Sequence, residues 1–165
     1  MEDIVKNPEQ DFENVMKAFQ DRLQQYKYME VSKKQQMSDL NTKIPDIEKN
    51  LNIISHIKEK KETLEDADED DKYLETNYEL NDTLYTKAKV DVEKLESVYL
   101  WLGADVMLEY PLDEAVDLLQ ERLTRNTQQL ELVNEDLDFL KENITTMEVN
   151  TARLYNWDVA RKRAK

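Results

Sequence analysis

Few residues in this sequence could carry bond-making chemistry. The chain has no cysteine and a single histidine, His56, so it offers no thiolate nucleophile, no cysteine-based zinc site and no Ser-His or Cys-His pair. Carboxylates are abundant, with 37 Asp and Glu against 23 Lys and Arg and a formal net charge of −14. General acid-base work by paired carboxylates needs a concave site that excludes water, and no glycine-rich phosphate loop accompanies them, because the chain has one glycine. The run Glu65-Asp66-Ala67-Asp68-Glu69-Asp70-Asp71 opens with the spacing of a calcium loop at Asp66, Asp68 and Asp70. It then fails, since Asp71 stands where glycine is needed and Asn77 where a bidentate glutamate belongs. The run is read as a solvated acidic linker, with an electrostatic docking surface for a basic partner as the alternative. No catalytic residue, cofactor or metal is expected, and His56 is expected on a helix surface. The acidity also argues against nucleic acid and anionic lipid as partners. No apolar run approaches the roughly 18 residues of a membrane span, and Met1-Glu2-Asp3-Ile4-Val5-Lys6 does not begin a secretory leader. With the lack of cysteine, this favours a soluble chain in a reducing, cytoplasmic compartment. Asn81-Asp82-Thr83 and Asn143-Ile144-Thr145 are then chance matches to the glycosylation pattern.

The elements that would hold these residues are mostly helices. One glycine and three prolines in 165 residues supply few turns, and 36% charged residues suit thin helices better than a globule. Asn7 can cap a helix, with Pro8 at its first position and Gln10 completing a capping box. From there a stripe spaced three and four runs through Phe12, Met16, Phe19, Leu23, Tyr26, Met37, Leu40, Ile44, Ile47, Leu51 and Ile54, interrupted at Glu30 and Lys33. This predicts a coiled-coil helix over 8–64, kinked or broken near Pro45. The acidic linker follows over 65–77. A second helix over 112–163, entered through Pro111 with Asp113 as cap, carries the stripe Val116, Leu119, Leu123, Leu130, Val133, Leu137, Leu140, Ile144, Met147 and Leu154, with polar lapses at Asn126 and Thr151.

Between them, residues 78–110 alternate apolar and polar side chains in the manner of strands. Ser97–Leu102 and Asp105–Tyr110, joined at Gly103-Ala104, read as a hairpin whose turn holds the only glycine. The expected fold is therefore α-dominated with a small β segment: a long antiparallel coiled-coil hairpin bearing two central β-hairpins. These strands carry more apolar side chains than one half-buried face needs, so Leu84, Tyr85, Leu100, Trp101, Met107 and Leu108 are candidates for assembly. Equal distances from the β segment would place Leu154 and Trp157 opposite Met16 and Phe19 at the far tip.

The order helix, two hairpins, helix resembles the α-class prefoldin subunits, and local words sharpen the resemblance. They are Leu84-Tyr85-Thr86-Lys87-Ala88-Lys89-Val90, Leu100-Trp101-Leu102-Gly103-Ala104-Asp105-Val106-Met107-Leu108-Glu109-Tyr110 and Arg153-Leu154-Tyr155-Asn156-Trp157-Asp158-Val159. The resemblance implies a hetero-hexamer with other prefoldin subunits, whose hairpins join into β-barrels. It further implies that coiled-coil tips hold unfolded actin and tubulin and deliver them to the cytosolic chaperonin, without ATP use by prefoldin itself. Phe12, Met16, Phe19, Leu154, Tyr155 and Trp157 are then the client-binding candidates, with a place in the helix seam as the plainer role for Phe12, Phe19 and Trp157. The alternative function is a structural or tethering coiled coil without chaperone activity, which leaves the apolar β segment unexplained.

Overall fold

The computed structural model describes residues 11–63 and 72–164. The expected cap at Asn7, Pro8 and Gln10, together with Leu64 and the acidic run Glu65 to Asp71, lies outside these residues. Six elements follow in order: α1 (Asp11–Glu62), β1 (Tyr73–Asn81), β2 (Leu84–Asp91), β3 (Ser97–Gly103), β4 (Val106–Pro111) and α2 (Leu112–Arg163). Two long helices with two small antiparallel hairpins, β1–β2 and β3–β4, are thus the architecture. Each helix has acidic residues in its first turn and basic ones in its last, in accord with the helix dipole.

The chain divides into two compact units, one comprising Lys43–Asn126 and the other the segments up to Thr42 and from Thr127 on. In the first unit, Leu51, Ile54 and Ile57 of α1 and Leu112, Ala115 and Leu119 of α2 form one buried cluster with Val92. These helix positions recur every three or four residues, so each helix turns a single apolar stripe inward. Val92, fully buried in the link between the hairpins, donates its N–H to the Lys72 carbonyl at 3.0 Å. Leu74, Val98, Leu100 and Tyr110 of the strands pack on the same cluster. In the second unit, α1 and α2 run antiparallel, as the ion pairs Lys27–Glu148 at 2.7 Å and Lys33–Asp136 at 2.6 Å require. Leu40, Val133, Leu137, Leu140 and Leu154 are its buried apolar positions. The seam lapses are accommodated locally: Lys33 reaches Asp136, Glu30 pairs with Lys34, and the Thr151 hydroxyl donates to the Met147 carbonyl at 2.7 Å.

Four local features differ from expectation. Helix α1 passes through Pro45 without the break that is one of the two outcomes expected there. Pro45 is exposed, and buried Leu51, Ile54 and Ile57 anchor the turns that follow, so packing outweighs the lost hydrogen bond. Strand β1 begins at Tyr73, inside the stretch assigned to the linker, because Glu75 stands opposite Lys89 and its charge is matched by Lys87 and Lys89 on the partner strand. The β3–β4 turn is centred on Ala104 and Asp105, which lie between the paired residues Gly103 and Val106 and both have positive φ, 49° and 58°. Gly103, at φ +96°, supplies the irregularity before it, and a Cβ there would meet nothing within 4 Å, so backbone angle and not space demands the glycine. Asp113 is the second residue of α2, not its cap; the Leu112 N–H is satisfied by the Glu96 carbonyl at 3.2 Å.

Candidate functional site

The two hairpins present different faces. In β3–β4 the register sets Val98 opposite Tyr110 and Leu100 opposite Leu108, and Val98, Leu100 and Tyr110 pack on the core. The other face therefore carries Tyr99, opposite Glu109, and Trp101, opposite Met107. Tyr99, Trp101 and Met107 are 64%, 56% and 53% exposed, an aromatic and thioether surface that the described residues leave open. In β1–β2 one face is charged, with Glu75 between Lys87 and Lys89 and Lys89 over the Tyr73 ring. Its opposite face runs from core-packed Leu74 out to Tyr78 on β1 and to Leu84 on β2, and both outer residues are exposed. Each sheet has two strands, so all four strands are edges with unpaired backbone groups. Of the assembly candidates, Leu84, Tyr85, Trp101, Met107 and Leu108 are open to solvent and Leu100 is partly covered by the core.

Two lysines at the end of α1 fix the hairpins and a third ties α1 to α2, roles the sequence did not disclose. Lys60 donates to the Tyr73 carbonyl at 3.1 Å and Lys61 to the Leu95 carbonyl at 2.9 Å, which ties the first residue of β1 and the link before β3 to the helix. Lys58 pairs with Asp113 of α2; their hydrogen bond holds the ammonium above its ordinary pKa and the carboxyl below it. Backbone carbonyls carry no residue-type signal, so only the unusual density of lysine before the acidic run hinted at these ties.

The tip candidates gather in the other unit, where they differ in accessibility. Leu154 is fully buried, Phe12, Met16, Phe19 and Trp157 are half-buried, and Tyr155 is 60% exposed. A groove of about 380 Å³ is lined by Met16, Leu23, Thr151, Ala152 and Tyr155, with Gln20, Glu148 and Asn156 at polar positions. Beyond it Asp158, only 4% exposed, accepts one hydrogen bond from Arg161 and takes an ion pair from Lys162, both at 2.7 Å. The Lys162 hydrogen bond, then that of Arg161, holds the Asp158 carboxyl below its ordinary pKa against its desolvation. The Arg161 guanidinium lies 5.7 Å from the centre of the Trp157 ring, and the Lys162 ammonium 5.8 Å from that of Phe12. Among the described residues no group of His, Cys, Asp and Glu is arranged to hold a metal ion, and no helix is long and apolar enough to cross a membrane.

Comparison with known proteins finds relatives over most of the chain. The family model described as Prefoldin subunit matches residues 26–157. The Saccharomyces cerevisiae protein named Prefoldin subunit 3 is 50% identical over 163 residues, covering 97% of this chain and 80% of its own length. The Homo sapiens protein of the same name is 43% identical over 150 residues, covering 91% of this chain and 72% of its own. Among solved structures, a filamentous prefoldin from Methanocaldococcus jannaschii matches 77% of this chain and 98% of its own with 12% identity and a TM-score of 0.45. With the family model covering the strands and most of both helices, and relatives sharing up to half of all residues, the chain belongs to the prefoldin subunit family.

Proposed function

We propose that the chain is an α-class subunit of a hetero-hexameric prefoldin, which holds unfolded proteins such as actin and tubulin in the cytoplasm and passes them to the cytosolic chaperonin. Membership of the family makes it a chaperone subunit and not an enzyme. The observation that carries the assembly half is the uncovered face of Tyr99, Trp101 and Met107 on a sheet whose strands are all edges. Strands of neighbouring subunits would complete those ladders as β-barrels and bury the rings. Leu84, Tyr85 and Leu108 would join that interface, with Leu100 supporting it from the core side.

The client half is supported by the groove between Met16 and Tyr155, an apolar surface bordered by amide and carboxylate groups. Such a groove suits weak contact with many sequences, and several tips acting on one client convert weak contacts into retention. Phe12, Phe19 and Trp157 would add ring surface, and buried Leu154 would support the floor. Binding and release of this kind need no chemical step in the subunit. The test is co-expression with the other prefoldin subunits, isolation of the complex, and addition of denatured actin without ATP. A mixed hexamer that suppresses actin aggregation and yields it to the chaperonin is expected. A complex that assembles but leaves aggregation unchanged would make the chain a scaffold.

A further inference from the structure

The end of α2 contains an arrangement that simple helix ending does not account for. A basic final turn needs only to lie near the helix dipole, and exposed Arg and Lys would serve. Here Arg161 is half-buried, and its Nε is buried with no hydrogen-bond partner, the only such side-chain atom among the described residues. An unpaired buried N–H weighs against the closed arrangement. What holds it closed is Asp158, itself nearly sealed from solvent, which binds Arg161 through one oxygen and Lys162 through the other. Those same two cations are the ones standing over Trp157 and Phe12, one ring on each helix.

We propose that Asp158 is a positioning residue for a clasp: by gripping Arg161 and Lys162 it keeps their cations over Trp157 and Phe12, and so withholds both rings from an unfolded client until the clasp opens. This rests on the client-binding reading of the tip given above. With the clasp closed, the apolar surface on offer is the groove at Met16 and Tyr155; with it open, two further rings join that surface. The clasp thereby sets how much apolar surface the tip exposes at rest, limiting contact with folded proteins. The opposing features make it responsive: the two ion pairs and two cation–π contacts favour closure, and the buried Nε opposes it.

The test uses the full chain labelled with 5-fluorotryptophan, whose two tryptophans, Trp101 and Trp157, give separate fluorine resonances assigned with Trp157→Phe. Asp158→Asn should shift the Trp157 resonance and raise its broadening by a soluble nitroxide about twofold or more, with Trp101 unchanged, while Asp158→Glu keeps Trp157 near the original. Replacing Arg161 and Lys162 together by Gln should expose Trp157 equally, through the cations and not the carboxylate. Helical circular dichroism should stay within about a tenth of the original in all three, since the buried apolar residues of the seam, Leu154 among them, are unchanged. Trp157 broadening unchanged in both Asp158→Asn and the double variant would overturn the clasp, as would exposure accompanied by loss of helix. In the assembled complex, Asp158→Asn should bind denatured actin several-fold more tightly; unchanged or weaker binding, with Trp157 exposed, would overturn the withholding role. A complex that binds no denatured protein in any form would sink the client reading itself, and the fluorine result would still decide whether Asp158 positions the cations.

Discussion

At the scale of single residues, the balance of charge and burial makes definite claims. The Asp158 carboxyl is held below the ordinary aspartate range, first by Lys162 and then by Arg161. Its folded value thus lies under the unfolded one of about 3.9, so its contribution to stability is fully present above that pH and is lost as pH falls through the lowered folded value. A carbon-detected NMR titration of the Asp158 side chain should find a midpoint below that of an unfolded aspartate, and a midpoint at or above pH 4 would contradict the ion-pair geometry. The pairing of Lys58 with Asp113 is another matter, because Asp113 is 83% exposed and solvent screens it. Among apolar residues, Leu119 is 4% exposed and belongs to the core on which the strands pack. Leu119→Ala should cost about 2–5 kcal/mol in urea unfolding, the range for a buried leucine that leaves a cavity.

Elements show where sequence periodicity suffices and where it does not. The stripes through Leu40, Leu51 and Ile54 on α1 and Val133, Leu137, Leu140 and Leu154 on α2 were legible because every one of these positions is buried, as a 3-4 spacing demands. The start of β1 was not legible, since Glu75 and Asn77 look like linker until Lys89 and Lys87 are known to lie opposite them. Val92 and the carbonyl ties of Lys60 and Lys61 were likewise hidden, because each is defined by a partner distant in sequence. In the β3–β4 turn, Ala104 and Asp105 occupy left-handed backbone conformations that favour Asn and Gly. The double change Ala104→Asn with Asp105→Gly should stabilise the hairpin by about 1 kcal/mol, read as slower hydrogen exchange of the Trp101 and Met107 amides. Pro45 sits inside an unbroken α1. Pro45→Ala should raise the stability of α1 by about 1–3 kcal/mol, seen as a higher thermal midpoint by circular dichroism.

For the molecule as a whole, assembly is the property that the local structure leaves outstanding. The chain's own core covers Val98, Leu100 and Tyr110 but not Tyr99, Trp101 and Met107, so substituting the second set should spare folding while removing assembly. Trp101→Glu with Met107→Lys should leave helical content unchanged and shift the chain from a mixed complex to its free form, as measured by light scattering after gel filtration. Loss of helix along with assembly would show instead that these side chains hold the chain's own fold. The family was legible in three short words of sequence and the fold in its order of elements, whereas the division of the tip into groove, clasp and buried support was not. Phe12 and Trp157 lie on the seam by spacing alone; the cation over Trp157 comes from Arg161 four residues on, and that over Phe12 from Lys162 of the opposite helix.

The open strand edges also bear on how much of this protein a cell can tolerate. A copy made without its neighbours exposes four edges and a patch of rings to every other nascent chain, and its own twin is the most available match. Exposed edges of this kind favour pairing between copies unless partner strands cover them first. Overexpression of this subunit alone should therefore give more self-associated material, by gel filtration, than co-expression with its neighbours, because partner strands would cover the same edges.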